Sequence, residues 1–189
     1  IAHVCGDIEL APLKSSSTGM VWCNLTLQWV NQPQRVFAEM HRVLQPGGLF
    51  MFSTFGPDTL KELRQSYAGT DDYSHVLRFT DMHDLGDMLV ATGFATPVMD
   101  MEQITMTYSD VTSLMRDLKS IGAHNVTCGR RQGLAGKSQF QAVTRNYEQF
   151  RRAGRLPATF EVVYGHAWKP ETMRMDDGRK VIKLEVKLS

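Results

Sequence analysis

Thr18–Thr54 reads TGMVWCNLTLQWVNQPQRVFAEMHRVLQPGGLFMFST, and its order of apolar runs and turn signals decides the fold class. Val21, Trp22 and Cys23 form an apolar strand run, and the semi-polar Asn24–Trp29 follows where that strand should end. Asn31 is placed to cap a helix, with Pro33 tolerated in its first turn. Val36, Phe37, Met40, Val43 and Leu44 then fall on one helical face. Pro46-Gly47-Gly48 predicts the helix stop, and Leu49–Phe52 is a short run of buried-strand type. A strand–helix–strand unit of this length predicts a parallel pair with a right-handed crossover. Ligands of such sheets lie at the carboxyl ends of the strands, here Asn24–Trp29 and Ser53–Pro57.

The rest of the chain is compatible with this α/β reading. Its 189 residues, 42% hydrophobic and 22% charged with a formal net charge of +1, describe an ordinary globular composition. No apolar run is long enough to span a membrane as a helix. Cys5, Cys23 and Cys128 lack metal-ligand spacing, and the surrounding apolar runs predict that Cys5 and Cys23 are buried free thiols, as suits a reducing cytoplasm. None of the six histidines pairs with Cys, Asp or Glu at metal spacing, so no metal is expected and His83 and His166 read as structural.

Ile1–Cys5 reads as a strand, followed by a serine-rich loop at Lys14–Gly19. Beyond the central unit, Pro57 predicts a helix start before Leu60, Leu63 and Tyr67, and Thr80 a cap for a helix closed by Gly93. Pro97–Tyr108 alternates with a phase slip near Glu102-Gln103, which predicts a bulge or a break there. Ser109 and Ser138 are expected caps for two further helices, the first carrying Val111, Leu114, Met115, Leu118 and Ile121, the second Phe140, Val143, Tyr147 and Phe150. Thr159–Trp168 predicts a strand, with Phe160, Val162 and Tyr164 on its apolar face, and Val181–Leu188 a last alternating run. The four methionines between residues 99 and 115 are expected in the core.

Four blocks carry a resemblance: Cys5–Leu13 (CGDIELAPL), Val21–Trp29 (VWCNLTLQW), Arg42–Gly48 (RVLQPGG) with Ser53–Leu60 (STFGPDTL), and Leu118–Ala123 (LKSIGA) with Gly129–Lys137 (GRRQGLAGK). Together they resemble the class I S-adenosylmethionine-dependent methyltransferases, most nearly the malonyl-acyl-carrier-protein O-methyltransferases of biotin synthesis. The resemblance spans about residues 5 to 168. It implies a Rossmann-like sheet with helices on both faces over residues 1–189, with 168–189 as a carboxyl-terminal extension. The family's first two strands and glycine-rich loop have no counterpart here. The sheet is therefore expected to be incomplete, with a bare edge at the Val21 strand, and the chain alone to be inactive and to bind cofactor weakly or not at all.

By the same resemblance, the Asp7 carboxylate and the Ile8 N–H meet the adenine of S-adenosylmethionine, and Asn24 and Leu25 face its methionine part. Read on its residues alone, Asp7 could simply shape the Gly-Asp turn, and Asn24 could simply end a strand. Gln28 and Trp29 are candidate walls of the cofactor or substrate site, against a core role for Trp29. Arg130 and Arg131 are the candidates for the substrate carboxylate or the carrier phosphate.

Arg130–Arg155 carries seven cations against Glu148 alone. Arg130, Arg131, Lys137 and Arg145 would steer an acidic acyl carrier protein. A solvated helix face is the plain alternative, and nucleic acid is disfavoured because Phe140, Tyr147 and Phe150 follow the apolar stripe. No catalytic residue is assigned. A malonyl carboxylate is already an ionised nucleophile, and methyl transfer to it needs alignment, water exclusion and a cation rather than a base. Another small-molecule methyltransferase, or a non-catalytic carrier-binding module, are the competing readings.

Overall fold

The computed structural model describes residues 3–71, 73, 75–123 and 136–171. Its order is β1 (Thr18–Asn24), α1 (Pro33–Val43), β2 (Leu44–Phe55), α2 (Lys61–Tyr67), α3 (Met82–Thr92), β3 (Ala95–Tyr108), α4 (Val111–Ser120), α5 (Lys137–Tyr147) and β4 (Leu156–Trp168). The sheet order is β1-β2-β4-β3, so the last strand enters between β2 and β3. β1 and β2 are parallel, with Val21 opposite Phe50 and Asn24 opposite Ser53, as the strand–helix–strand pattern predicts. β4 runs antiparallel to β2, since Gly47 N–H donates to Lys169 O and Gly56 N–H to Glu161 O. β1 is an edge strand, and Trp22 on it is 72% exposed, in line with the expected bare edge.

The described chain divides into two compact units. The first comprises Ile1–Ser53, His83–Met99 and Tyr164–Ser189. Its core is aromatic: Phe50 lies 5.8 Å from Phe37, 5.3 Å from Phe52 and 5.7 Å from Phe94, in edge or offset contacts. Val36, Phe37, Met40 and Val43 bury the predicted face of α1. Its start differs from expectation, because Gln32 occupies the cap position, without a side-chain bond, and Asn31 lies outside the helix. Its end differs too. The chain turns extended at Leu44, and Pro46-Gly47-Gly48 lies within β2 rather than before it. Gly47, at φ +76°, supplies the left-handed turn, and its N–H and the Gly48 carbonyl are both taken by the Lys169 backbone. His3–Cys5 is not a strand, and Cys5 is exposed while Cys23 is buried.

The second unit comprises Thr54–Met82 and Asp100–Val163. Leu63 of α2, Val111 and Leu114 of α4, Val143 and Tyr147 of α5, and Leu156 and Ala158 of β4 form its core. The buried Tyr147 hydroxyl donates to Pro157 O at 2.9 Å. Glu62, also buried, accepts from Thr159 N–H and hydroxyl, and Glu161 accepts from Asp58 N–H.

Several local expectations are corrected in these elements. Asp110, not Ser109, caps α4, accepting from Ser113 N–H at 2.8 Å. Gly136, not Ser138, holds the cap position of α5. Helix α2 begins at Lys61 rather than at Pro57, and α3 begins at Met82 rather than directly after Thr80. β3 is one continuous strand through Glu102-Gln103, so the chain does not break there. Met101 and Met106 are exposed, as are Ile121, Phe140 and Tyr164, so these alternations and stripes do not all mark core. On the interior strand β4 both parities are buried, Leu156, Ala158 and Val162 on one and Thr159 and Val163 on the other, the pattern of a strand covered on both faces. Val181–Leu188 lies outside the described residues.

Phe37→Ala should lower the unfolding free energy by about 3–5 kcal/mol in urea titrations, the cost of a cavity in a fully buried aromatic cluster. His41 packs edge-on against Phe94 at 5.1 Å, and burial, helped by the charge of Lys169, pushes its imidazole below the ordinary 6.5. The folded state therefore resists a proton that the unfolded state accepts. The stability this environment provides is fully present above about pH 6.5 and falls as the pH drops through and below it. Urea midpoints taken between about pH 7.5 and about pH 5.5 should fall towards acid, and His41→Gln should flatten that dependence.

Candidate functional site

At the carboxyl end of β1 the chain makes a tight, strained turn. Leu25 has φ +47°, a left-handed conformation that a branched side chain adopts at a cost of about 1–2 kcal/mol. What holds it is Ser53, 4% exposed at the matching end of β2. Leu25 N–H donates to Ser53 O at 3.0 Å and lies 3.1 Å from Ser53 Oγ, while that hydroxyl donates to Asn24 Oδ1 at 2.6 Å. Gln28 Nε2 closes the turn on Leu25 O at 2.7 Å, within the short 3₁₀ turn Leu27–Trp29. Trp29 is 41% exposed, so its ring is available to a ligand rather than buried in the core. The structure thus brings together Asn24, Leu25 and Gln28, three of the residues singled out in the sequence. It adds Ser53, whose signal was a polar residue ending an apolar strand.

Asp7 and Ile8 lie on a loop pinned back on itself. Asp7 Oδ1 accepts from Glu9 N–H at 2.9 Å, and Asp7 O from Leu10 N–H at 3.1 Å. The turn-forming role of Asp7 is therefore real. It leaves Asp7 Oδ2 and the Ile8 N–H without a partner among the described residues, an acceptor beside a donor on an exposed loop. That pair fits the edge of an adenine ring, which offers an amino donor beside a ring-nitrogen acceptor.

Arg130 and Arg131 lie outside the described residues. Of the cations that follow, Arg151 is committed to structure: it pairs with Glu148 at 2.6 Å and donates to Ser109 O and Gly154 O. Arg155 donates to Thr107 O at 2.7 Å and Arg152 to Gln149 O at 3.3 Å. Lys137 and Arg145 project from α5 as exposed side chains.

The second unit holds a feature absent from the sequence reading, a cavity of about 500 Å³. Phe55, Ile104, Met106, Leu118, Ile121, Phe160 and Val162 line it, with Asp117 and Ser120 among its polar groups. Among the described residues no helix is long and apolar enough to cross a membrane, and no three His, Cys, Asp or Glu side chains are grouped to hold a metal ion.

The sheet order and the parallel β1–α1–β2 unit are the features to compare with known folds. Residues 1–52 match the methyltransferase domain family. The fold is similar to that of a methyltransferase of Bacillus halodurans (TM-score 0.56, 18% identity, covering 87% of this chain and 70% of that one). It is also similar to the YcgJ protein of Bacillus subtilis (TM-score 0.57, 10% identity, 88% and 70% covered). These likenesses extend over 87% and 88% of the chain and give it the methyltransferase-type fold.

In sequence, the chain is similar to malonyl-[acyl-carrier protein] O-methyltransferases. It is 65% identical to that of Nitrosospira multiformis over 90% of this chain and 55% of the relative. It is 58% identical to that of Gallionella capsiferriformans over 98% and 64%. The chain thus spans between about half and two thirds of the length of these relatives.

Ser53→Ala removes the hydroxyl from both Asn24 and Leu25 and leaves the backbone bond. The unfolding free energy should fall by about 1–2 kcal/mol in urea titrations, and a loss below about 0.5 kcal/mol would show that the hydroxyl does not hold the turn.

Proposed function

We propose that this chain serves S-adenosylmethionine-dependent methylation of the free carboxylate of a malonyl-acyl carrier protein, in biotin synthesis. The observation that carries the reading is the similarity to the malonyl-[acyl-carrier protein] O-methyltransferases across most of the chain. The geometry supports it. The open Asp7 acceptor and Ile8 donor would take the adenine, and the Asn24–Leu25 turn, held by Ser53, would bound the methionine part. Gln28 and Trp29 would wall the space beside it. When bound, the cofactor supplies a sulfonium methyl group with a neutral leaving group.

The residues then need only align a nucleophile that is already ionised, and exclude water from it. Arg130 and Arg131 would pair with the substrate carboxylate or the carrier's phosphate, and Lys137 and Arg145 would steer the acidic carrier to the site. A cytoplasmic location belongs to the same reading, supported by the free thiols Cys5 and Cys23.

In the intact protein carrying this chain, label from methyl-labelled S-adenosylmethionine should appear in an ester of malonyl-acyl carrier protein. No transfer to that substrate, with transfer to a free small-molecule acid, would favour another methyltransferase of the class. Lys137→Glu with Arg145→Glu should raise the KM for the carrier by about tenfold at low salt and by less at high salt, with kcat little changed.

A further inference from the structure

The Asp7–Leu13 loop is anchored by a residue far from it in sequence. Arg42 lies in the last turn of α1, 35% exposed, and its guanidinium faces two ways. Towards its own helix, Nε and Nη2 donate to the two carboxylate oxygens of Glu39 at 2.8 and 2.6 Å. Towards the loop, Nη2 donates to Ala11 O at 3.1 Å and Leu13 O at 2.9 Å, and Nη1 to Ser15 Oγ at 3.0 Å. Glu39 is buried, and the Arg42 bonds hold its carboxyl below the usual range against the opposing effect of burial.

Backbone groups extend the seam. The last carbonyls of a helix have no intrahelical donor. Here Ser16 N–H donates to Arg42 O and Ser17 N–H to Val43 O, each at 2.9 Å. The contact chain continues to Asp7. Ala11 and Leu13, whose carbonyls Arg42 takes, flank Pro12, and the Pro12 ring lies so close to Gly6 that a Cβ there would come within 2.6 Å of Pro12 Cδ. Leu10, the neighbour of Ala11, donates its N–H to Asp7 O.

We propose that Arg42, held by Glu39, is a positioning residue for cofactor binding, fixing the Asp7–Leu13 loop so that the Asp7 acceptor and the Ile8 donor stand at adenine spacing. This rests on the reading that Asp7 and Ile8 meet the adenine. A lysine at this position keeps the charge but has no planar fork to serve a carboxylate and two carbonyls at once. Removing the arginine alone would strand the buried Glu39 charge, so a double variant, Glu39→Gln with Arg42→Gln, accompanies Arg42→Lys.

Both are tested in the intact protein carrying this chain, by steady-state methyl transfer and by amide hydrogen exchange. Each variant should raise the KM for S-adenosylmethionine by about tenfold, with kcat within about twofold and the KM for the acyl carrier substrate unchanged. Exchange at the Leu10, Ser16 and Ser17 amides should quicken, while the β2 amides stay protected. A general loss of stability would lower kcat by emptying the folded population and leave KM alone, and that outcome overturns the proposal. So does unchanged exchange at the three loop amides. If the unaltered protein transfers no methyl group to any acceptor, the functional reading fails. The exchange arm and the dissociation constant for S-adenosylhomocysteine then decide the anchor: both weakened in the variants supports it, and either unchanged overturns it.

Discussion

The parallel pairing of β1 with β2 across α1 is the constraint on which the first unit depends. A parallel ladder requires the chain to leave one strand, cross over, and return to the same end of the sheet. α1 makes that crossing by burying Val36, Phe37, Met40 and Val43, and the aromatic rings of β2 meet it from the other side. The register of this pair sets Asn24 opposite Ser53. A slip of one residue would turn Ser53 to the other face and remove the only side chain that both accepts from Leu25 N–H and donates to Asn24 among the described residues. The packing of an apolar helix thus fixes the position of polar atoms at the strand ends, where a parallel sheet can offer them to a ligand.

Strain and anchoring are distributed consistently with that role. Leu25 adopts a conformation it would not choose, and the interactions that compensate come from a neighbouring strand. The Asp7–Leu13 loop, lacking any strand to support it, is fastened through its carbonyls to the end of α1. In both places an irregular segment is fixed by groups distant from it in sequence. Such an arrangement separates rigidity from recognition.

The sequence was most legible where periodicity was strong. The face of α1 and the parallel β1–β2 unit follow from apolar spacing, and the resemblance of four short blocks pointed to the class. Boundaries were less legible. Asn31, Ser109 and Ser138 all have the chemistry of helix caps, yet Gln32, Asp110 and Gly136 take the positions, because tertiary contacts choose the register of the first turn. Pro46-Gly47-Gly48 reads as a helix stop followed by a turn. It joins β2 because the backbone of Lys169, distant in sequence, supplies its donor and acceptor. The misassigned methionines have a similar cause. Met101 and Met106 fall on opposite parities of β3, and both are exposed because that strand is the far edge of the sheet, where neither face is assured of a covering layer. Ser53 and Arg42 were passed over because each is ordinary locally; only long-range pairing gives Ser53 two partners, and only the returning loop gives the Glu39–Arg42 helix pair its outer acceptors.

Charge arrangement also distinguishes what an alignment-driven reaction asks of a protein. Methyl transfer to a carboxylate requires no proton to move, so no acid–base pair needs to be tuned against another. The buried carboxylates described here, Glu39, Glu62 and Glu161, are all engaged in holding backbone: Glu39 through Arg42, Glu62 on Thr159, and Glu161 on the turn at Asp58. Their common use is to hold backbone of a segment distant in sequence. The exposed charges behave differently. Arg151 and Arg155 are consumed by local bonds, whereas Lys137 and Arg145 extend from α5 towards solvent. Internally satisfied carboxylates keep backbone geometry over short distances, whereas uncommitted surface cations act over longer ones and favour the approach of anions.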